Sequence, residues 1–138
     1  MKIRVMVFED NLFLRSLISE FLSRRGHEVV SYSDPTECPI LRDEPCLKAC
    51  ADVLLSDVYM PNMTGLQFIE HQRKKGCRIP HVALMSGVWT PKERDYAKKK
   101  IGCKIFDKPF RFEELGRWID ECENQINPNR VLVDEPVH

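Results

Sequence analysis

No stretch of this 138-residue chain stays apolar for the ~18 residues that a membrane-spanning helix needs, so membrane insertion is not expected. An excess of one charge is also missing, with Lys plus Arg at 21 and Asp plus Glu at 21. Without a broad basic field, bulk electrostatics cannot hold a nucleic-acid backbone, and no direct nucleic-acid partner is expected. The N-terminal MKIRVMVFEDN lacks the long apolar run and small-residue cleavage site of a secretory leader, which makes the cytoplasm the expected location. Neither an internal repeat nor a low-complexity tract occurs. The six cysteines include no Cys-x-x-Cys pair, and His27, His71, His81 and His138 form no spaced set. The length fits one domain and excludes a large two-domain enzyme.

What is present alternates between short apolar runs and helical spacing. Lys2 to Phe8 is apolar on both faces, as a buried parallel strand must be. After Glu9-Asp10-Asn11, the set Leu14, Leu17, Ile18, Phe21 and Leu22 has helical spacing, and Gly26 sits just past its end. Val29–Tyr32, Asp52–Asp57, Ile79–Ser86 and Lys104–Asp107 read as four more strands. Gly65–Lys74 reads as a helix, Thr90-Pro91-Lys92-Glu93 opens another with a capping box, and Phe112 to Cys122 forms the apolar face of a last one. Pro35, Pro39 and Pro45 break Ser33–Ala51 into a short helix or two with loop. Five strands alternating with helices imply a parallel sheet covered on both faces, an α/β fold. Residues 1–126 are expected to form the domain and 127–138 a polar, Pro-bearing C-terminal tail.

In such folds ligands bind beyond the carboxyl ends of the strands, near a topological switch point. Those ends carry Glu9 and Asp10, Asp57, Ser86 and Lys108, all on one rim. Three carboxylates brought together raise one another's pKa unless a cation neutralises them, and hard oxygen ligands with room for water suit Mg²⁺. A nearby lysine and hydroxyl supply donors for an added anion. This is the layout of a site that accepts a phosphoryl group on a carboxylate.

The set Glu9-Asp10, Asp57-Val-Tyr-Met-Pro-Asn-Met-Thr-Gly65, Ser86-Gly87 and Lys108-Pro109-Phe110 resembles the response-regulator receiver domains of two-component signalling. Four motifs in order, from about residue 3 to about residue 122, carry the resemblance. It implies a flavodoxin-like, doubly wound (βα)5 three-layer sandwich with strand order 2-1-3-4-5. It makes Asp57 the phosphoacceptor, and Asp10, Asp57 and the Tyr59 backbone carbonyl the Mg²⁺ ligands, with Glu9 assisting through water. Ser86 and Lys108 would bond the phosphoryl oxygens, and the Lys108-Pro109 bond would be cis. The donor would be a sensor histidine kinase or phosphotransfer protein, and the output a contact with an unknown downstream protein. The domain would assist its own phosphorylation and dephosphorylation without being an enzyme in any wider sense.

Three departures from that family stand out. Its aromatic switch position, three before the lysine, is Ile105 here, while Phe106 shares a face with Lys108 and reads as packing. Output would then pass through the backbone around Ser86-Gly87 or through Trp89. The positions flanking the attacking water's path are Tyr59 and Val88, two bulky groups that should slow self-dephosphorylation. Ser33–Ala51 is longer than its counterpart and holds Cys38, Cys46 and Cys50. Cys50, Cys77 and Cys103 each precede a strand, so three thiols should approach one another on the rim opposite the acids; Cys122 lies in the last helix. Two further readings compete: a phosphorylation-independent interaction domain, and a Cys-based metal or redox module. A haloacid-dehalogenase-like phosphatase needs a second acid where Tyr59 stands.

Overall fold

The computed structural model describes residues 1–38 and 48–134. Its elements are β1 (Arg4–Phe8), α1 (Leu12–Arg24), β2 (Glu28–Tyr32), a 3-10 turn (Pro35–Glu37), β3 (Val53–Asp57), α2 (Gly65–Lys74), β4 (His81–Ser86), α3 (Pro91–Tyr96), β5 (Lys104–Asp107) and α4 (Phe112–Gln125). Every strand pair is parallel and the order is β2-β1-β3-β4-β5, the doubly wound arrangement. The helical content expected within Ser33–Ala51 is a 3-10 turn as far as Glu37; Cys46 and its neighbours lie outside the described residues.

Strand alternation sorts the core into two layers. Val5, Val7, Leu55, Ala83, Met85 and Phe106 pack with Ile18 and Leu22 of α1 and Leu115 and Ile119 of α4. On the other face Met6, Phe8, Leu54 and Leu84 meet Phe68 and Ile69 of α2, together with Ala97 and Ile101. β1 and β3 are buried at every position, which is why both read as unbroken apolar runs.

Local chemistry fixes the helix ends. Asn11 caps α1 by accepting from the Leu14 amide, and Thr64–Gln67 and Thr90–Glu93 form reciprocal capping boxes on α2 and α3. α3 runs on into a π turn, Ala97–Ile101, whose Lys98, Lys99 and Lys100 face solvent. Gly65 opens α2 directly against β3: a β-carbon there would sit 2.4 Å from the Asp57 carbonyl oxygen and 2.8 Å from Ser56 Oγ. Gly65→Ala must push α2 off the strand that ends in Asp57. It should cost about 2 kcal/mol in denaturant unfolding, and an unchanged midpoint would contradict the close approach.

The stretch read as a polar tail packs back onto the sheet as far as residue 134. Arg130 reaches Asp52, 1% exposed at its side chain, with Nε 2.8 Å and Nη2 2.7 Å from the two carboxylate oxygens. The Val133 amide donates to Ala49, and Arg4 Nη1 donates to the Val133 carbonyl. Hydrogen bonds, an ion pair to the buried Asp52 and the packing of Val133 against the core hold this segment.

Candidate functional site

The sheet order makes β1, β3, β4 and β5 successive neighbours, so their C-terminal residues line one rim. The chain leaves β1 toward β2 and leaves β3 toward β4, opening a crevice between β1 and β3. Glu9, Asp57 and Lys108 meet there, and Ser86 ends the neighbouring β4 on the same rim. Glu9, Asp10 and Asp57 each offer a carboxylate oxygen within 4.8 Å of the others. Among the described residues this is the one cluster of three or more such side chains that can hold a metal ion.

Lys108 bridges the two buried acids, its Nζ 2.5 Å from Asp57 Oδ1 and 2.7 Å from Glu9 Oε1. The other oxygen of Glu9 accepts from the Asn11 amide at 3.0 Å. Arg15 Nη1 donates to the Glu9 carbonyl at 2.8 Å, a support that sequence reading missed because Arg15 looks like an ordinary polar position on α1. The Lys108 amide donates to the Ser86 carbonyl at 2.9 Å, tying the ends of β4 and β5 together. Ser86 Oγ accepts from the Val88 amide at 3.0 Å. The Lys108-Pro109 peptide is cis, as the resemblance implied.

Burial pushes the Asp57 carboxyl up to about 8, and its hydrogen bond to Glu9 pushes the same way against the pull of Lys108. Burial also works to raise Glu9, but hydrogen bonds with Asp57, Lys108 and the Asn11 amide hold it below the usual carboxylate range. Lys108 is raised: burial opposes its charge and the two acids outweigh it. A single lysine thus leaves the acid cluster short of positive charge, and the donor set is all oxygen. Both facts fit a hard divalent cation.

Phe106 is buried against Phe110 and Trp118, with ring centroids at 5.1 and 5.9 Å, which agrees with its reading as packing. Ile105 is half-buried on the opposite face of the sheet. Trp89 links the two strand ends: its Nε1 donates to the Phe106 carbonyl at 3.2 Å. Arg94 lies over its ring at 5.7 Å and pairs with Asp107. Tyr59 and Val88, two residues beyond Asp57 and Ser86, are exposed, 50% and 67%. Of the three thiols expected together, Cys50 and Cys77 meet, whereas Cys103 donates to the Ala97 carbonyl.

Known proteins match this architecture. The response regulator PhoP of Pseudomonas aeruginosa is 30% identical over 113 residues, 81% of this chain and 48% of its own. A protein-glutamate methylesterase/protein-glutamine glutaminase of Xanthomonas oryzae is 39% identical over 71 residues, 50% of this chain and 19% of its own. The chain therefore spans half or less of the length of these curated relatives. Among solved structures, the Francisella response regulator 1452 receiver domain superposes with a TM-score of 0.73 at 20% identity, covering 89% of this chain and 98% of that one. Chemotaxis protein CheY4 of Vibrio cholerae gives 0.67 at 21%, covering 88% and 99%. No helix among the described residues is long and apolar enough to cross a membrane. The family model of the response regulator receiver domain matches residues 5–120, and the chain belongs to that family.

Proposed function

We propose that the chain is a phosphoacceptor: Asp57 receives a phosphoryl group from a sensor histidine kinase or a phosphotransfer protein, and the charge change at the rim alters which protein the domain binds. The observation that carries this is Asp57 itself, 4% exposed at a strand end, with Lys108 on one oxygen and two more carboxylates within metal-ligand reach. Mg²⁺ held by Asp10, Asp57 and the Tyr59 carbonyl, with Glu9 assisting, would supply charge neutralisation for the incoming group. Lys108 would move from the carboxylate pair to the phosphoryl oxygens, and Ser86 Oγ would turn from the Val88 amide to donate to them. Leu12 and Phe13, 67% and 74% exposed on the first turn of α1, and the apolar cleft of Leu14, Pro109 and Phe110 offer a donor protein a greasy footing beside Lys108. An acyl phosphate is cleaved by hydroxylamine, so chain treated with a phosphodonor and Mg²⁺ should yield a hydroxamate at Asp57. A hydroxylamine-resistant phosphate at Ser86 would overturn the assignment.

Two consequences are specific to this chain. Tyr59 and Val88, two residues beyond Asp57 and Ser86, would flank the path by which water reaches the phosphoryl group. Tyr59→Asn should shorten the lifetime of the phosphorylated state roughly tenfold, about 1.4 kcal/mol in barrier. A lifetime that barely changes would remove the steric argument. Signal passes by the backbone: Ser86 holds the Val88 amide, and Trp89 next to it holds the Phe106 carbonyl. In a Trp118→Phe chain, phosphorylation should shift Trp89 emission; an unchanged spectrum would place the output elsewhere. Ile105 at the usual aromatic position favours a second reading, a phosphorylation-independent interaction domain. Equal partner affinity with and without phosphorylation would support it.

A further inference from the structure

On the rim opposite the acids, the Cys50 and Cys77 sulfurs lie 2.7 Å apart, both side chains being buried. Their meeting follows from the sheet. Cys50 stands three residues before β3, and Cys77 closes the turn after α2, where Gly76 takes φ 89° and the Cys77 amide donates to the Gln72 carbonyl. β3 and β4 are adjacent, so both approaches converge. Gln72, itself buried, donates Nε2 to Cys50 Sγ at 3.3 Å. The sulfur separation is about 0.7 Å longer than an S–S bond, whereas two thiolates sharing a tetrahedral zinc at ~2.3 Å stand roughly 3.8 Å apart.

We propose that Cys50 and Cys77 are a reversible disulfide site, oxidised by a hydroperoxide. Cys77, 1% exposed, lines a narrow cleft with Phe68, Ile79 and the cationic Arg73, which makes it the thiol assigned to the first step. In the first step the Cys77 sulfur attacks the terminal peroxide oxygen and the O–O bond breaks. The products are the Cys77 sulfenic acid and an alcohol, or water from hydrogen peroxide, which takes the thiol proton. In the second step Cys50 attacks that sulfur, the S–O bond breaks, and hydroxide leaves as water with the Cys50 proton. Two thiols lose two electrons and one hydroperoxide gains them. Cys103 is engaged differently, its thiol donating to the Ala97 carbonyl at 3.3 Å. The disulfide would staple the entry of β3 to the end of α2 across a separation of 27 residues. It does not depend on Asp57 being a phosphoacceptor.

The test uses the full wild-type chain, reduced, treated with stoichiometric hydrogen peroxide, alkylated, and mapped by non-reducing peptide mass spectrometry. The expected product is a single cross-link between the Cys50 and Cys77 peptides, reversed by dithiothreitol. A Tm raised by about 5–10 °C should accompany it and be absent in Cys77→Ser. Cross-links through Cys38, Cys46 or Cys103, sulfinic acid accumulating at Cys77, or fully alkylatable thiols would each overturn the proposal. So would stoichiometric zinc in the purified protein that shields the thiols. The wild-type peptide map alone separates these outcomes, so they hold even where Cys77→Ser fails to fold.

Discussion

Asp57→Asn should make the metal-free protein more stable and at the same time abolish its response to Mg²⁺. The carboxyl is pushed up to about 8 because burial and the neighbouring Glu9 disfavour its charge. An acid whose pKa is higher folded than unfolded destabilises the fold once pH exceeds the unfolded value. The cost is absent below about pH 4, grows through the interval, and is complete above about pH 8. An isosteric amide removes that cost but gives up the charge-assisted bond to Lys108. The net gain at pH 7 should be about 1–3 kcal/mol, or roughly 4–10 °C in Tm, shrinking as pH falls toward 4. Wild type should in turn gain Tm when Mg²⁺ is added, by mass action on the folded state, and Asp57→Asn should not. A less stable Asp57→Asn, or one still stabilised by Mg²⁺, would mean that Asp57 is an ordinary structural carboxylate.

Lys108→Met should produce the opposite pattern. The lysine bonds both buried acids and, with its side chain 25% exposed, is partly screened. Removing it leaves Glu9 and Asp57 facing each other uncompensated and should cost about 2 kcal/mol, less than a fully buried pair would. With more negative charge left in the crevice, Mg²⁺ should stabilise Lys108→Met by a larger Tm increment than it gives wild type. Phosphorylation from a small-molecule donor should nevertheless fall by roughly 10²-fold, because a fixed cation no longer meets the charge that builds on the transferring group. If phosphorylation persisted at the wild-type rate, the lysine would be an anchor for β5 and not part of the transfer machinery.

The rim was legible in the sequence because parallel strands are short and apolar and end where the polar residues begin. Glu9, Asp57, Ser86 and Lys108 each follow such a run, and sheet order does the rest. Helix ends were legible through the Thr90–Glu93 box and Gly26, whereas the Asn11 cap of α1 emerged only from the structure. Contacts that join distant parts of the chain without an apolar pattern could not be read. Arg130 and Asp52 are 78 residues apart, and nothing in the composition of 127–134 says that it returns to β1 and β3. The Cys50–Cys77 contact was half legible, since strand adjacency brings thiols together but the turn after α2 decides which pair touches. Trp89 is similar: its distance from Ser86 marks it as near the site, but its bond to the Phe106 carbonyl depends on how the β4–α3 loop folds over β5.

The central claim is that Asp57 accepts a phosphoryl group in a cation-dependent reaction. Intact mass spectrometry after incubation with Mg²⁺ and acetyl phosphate tests it most directly. Wild type should gain one phosphoryl group, lose the gain when Mg²⁺ is chelated beforehand, and show none in Asp57→Asn. A gain that survives chelation, or that appears equally in Asp57→Asn, would contradict the account.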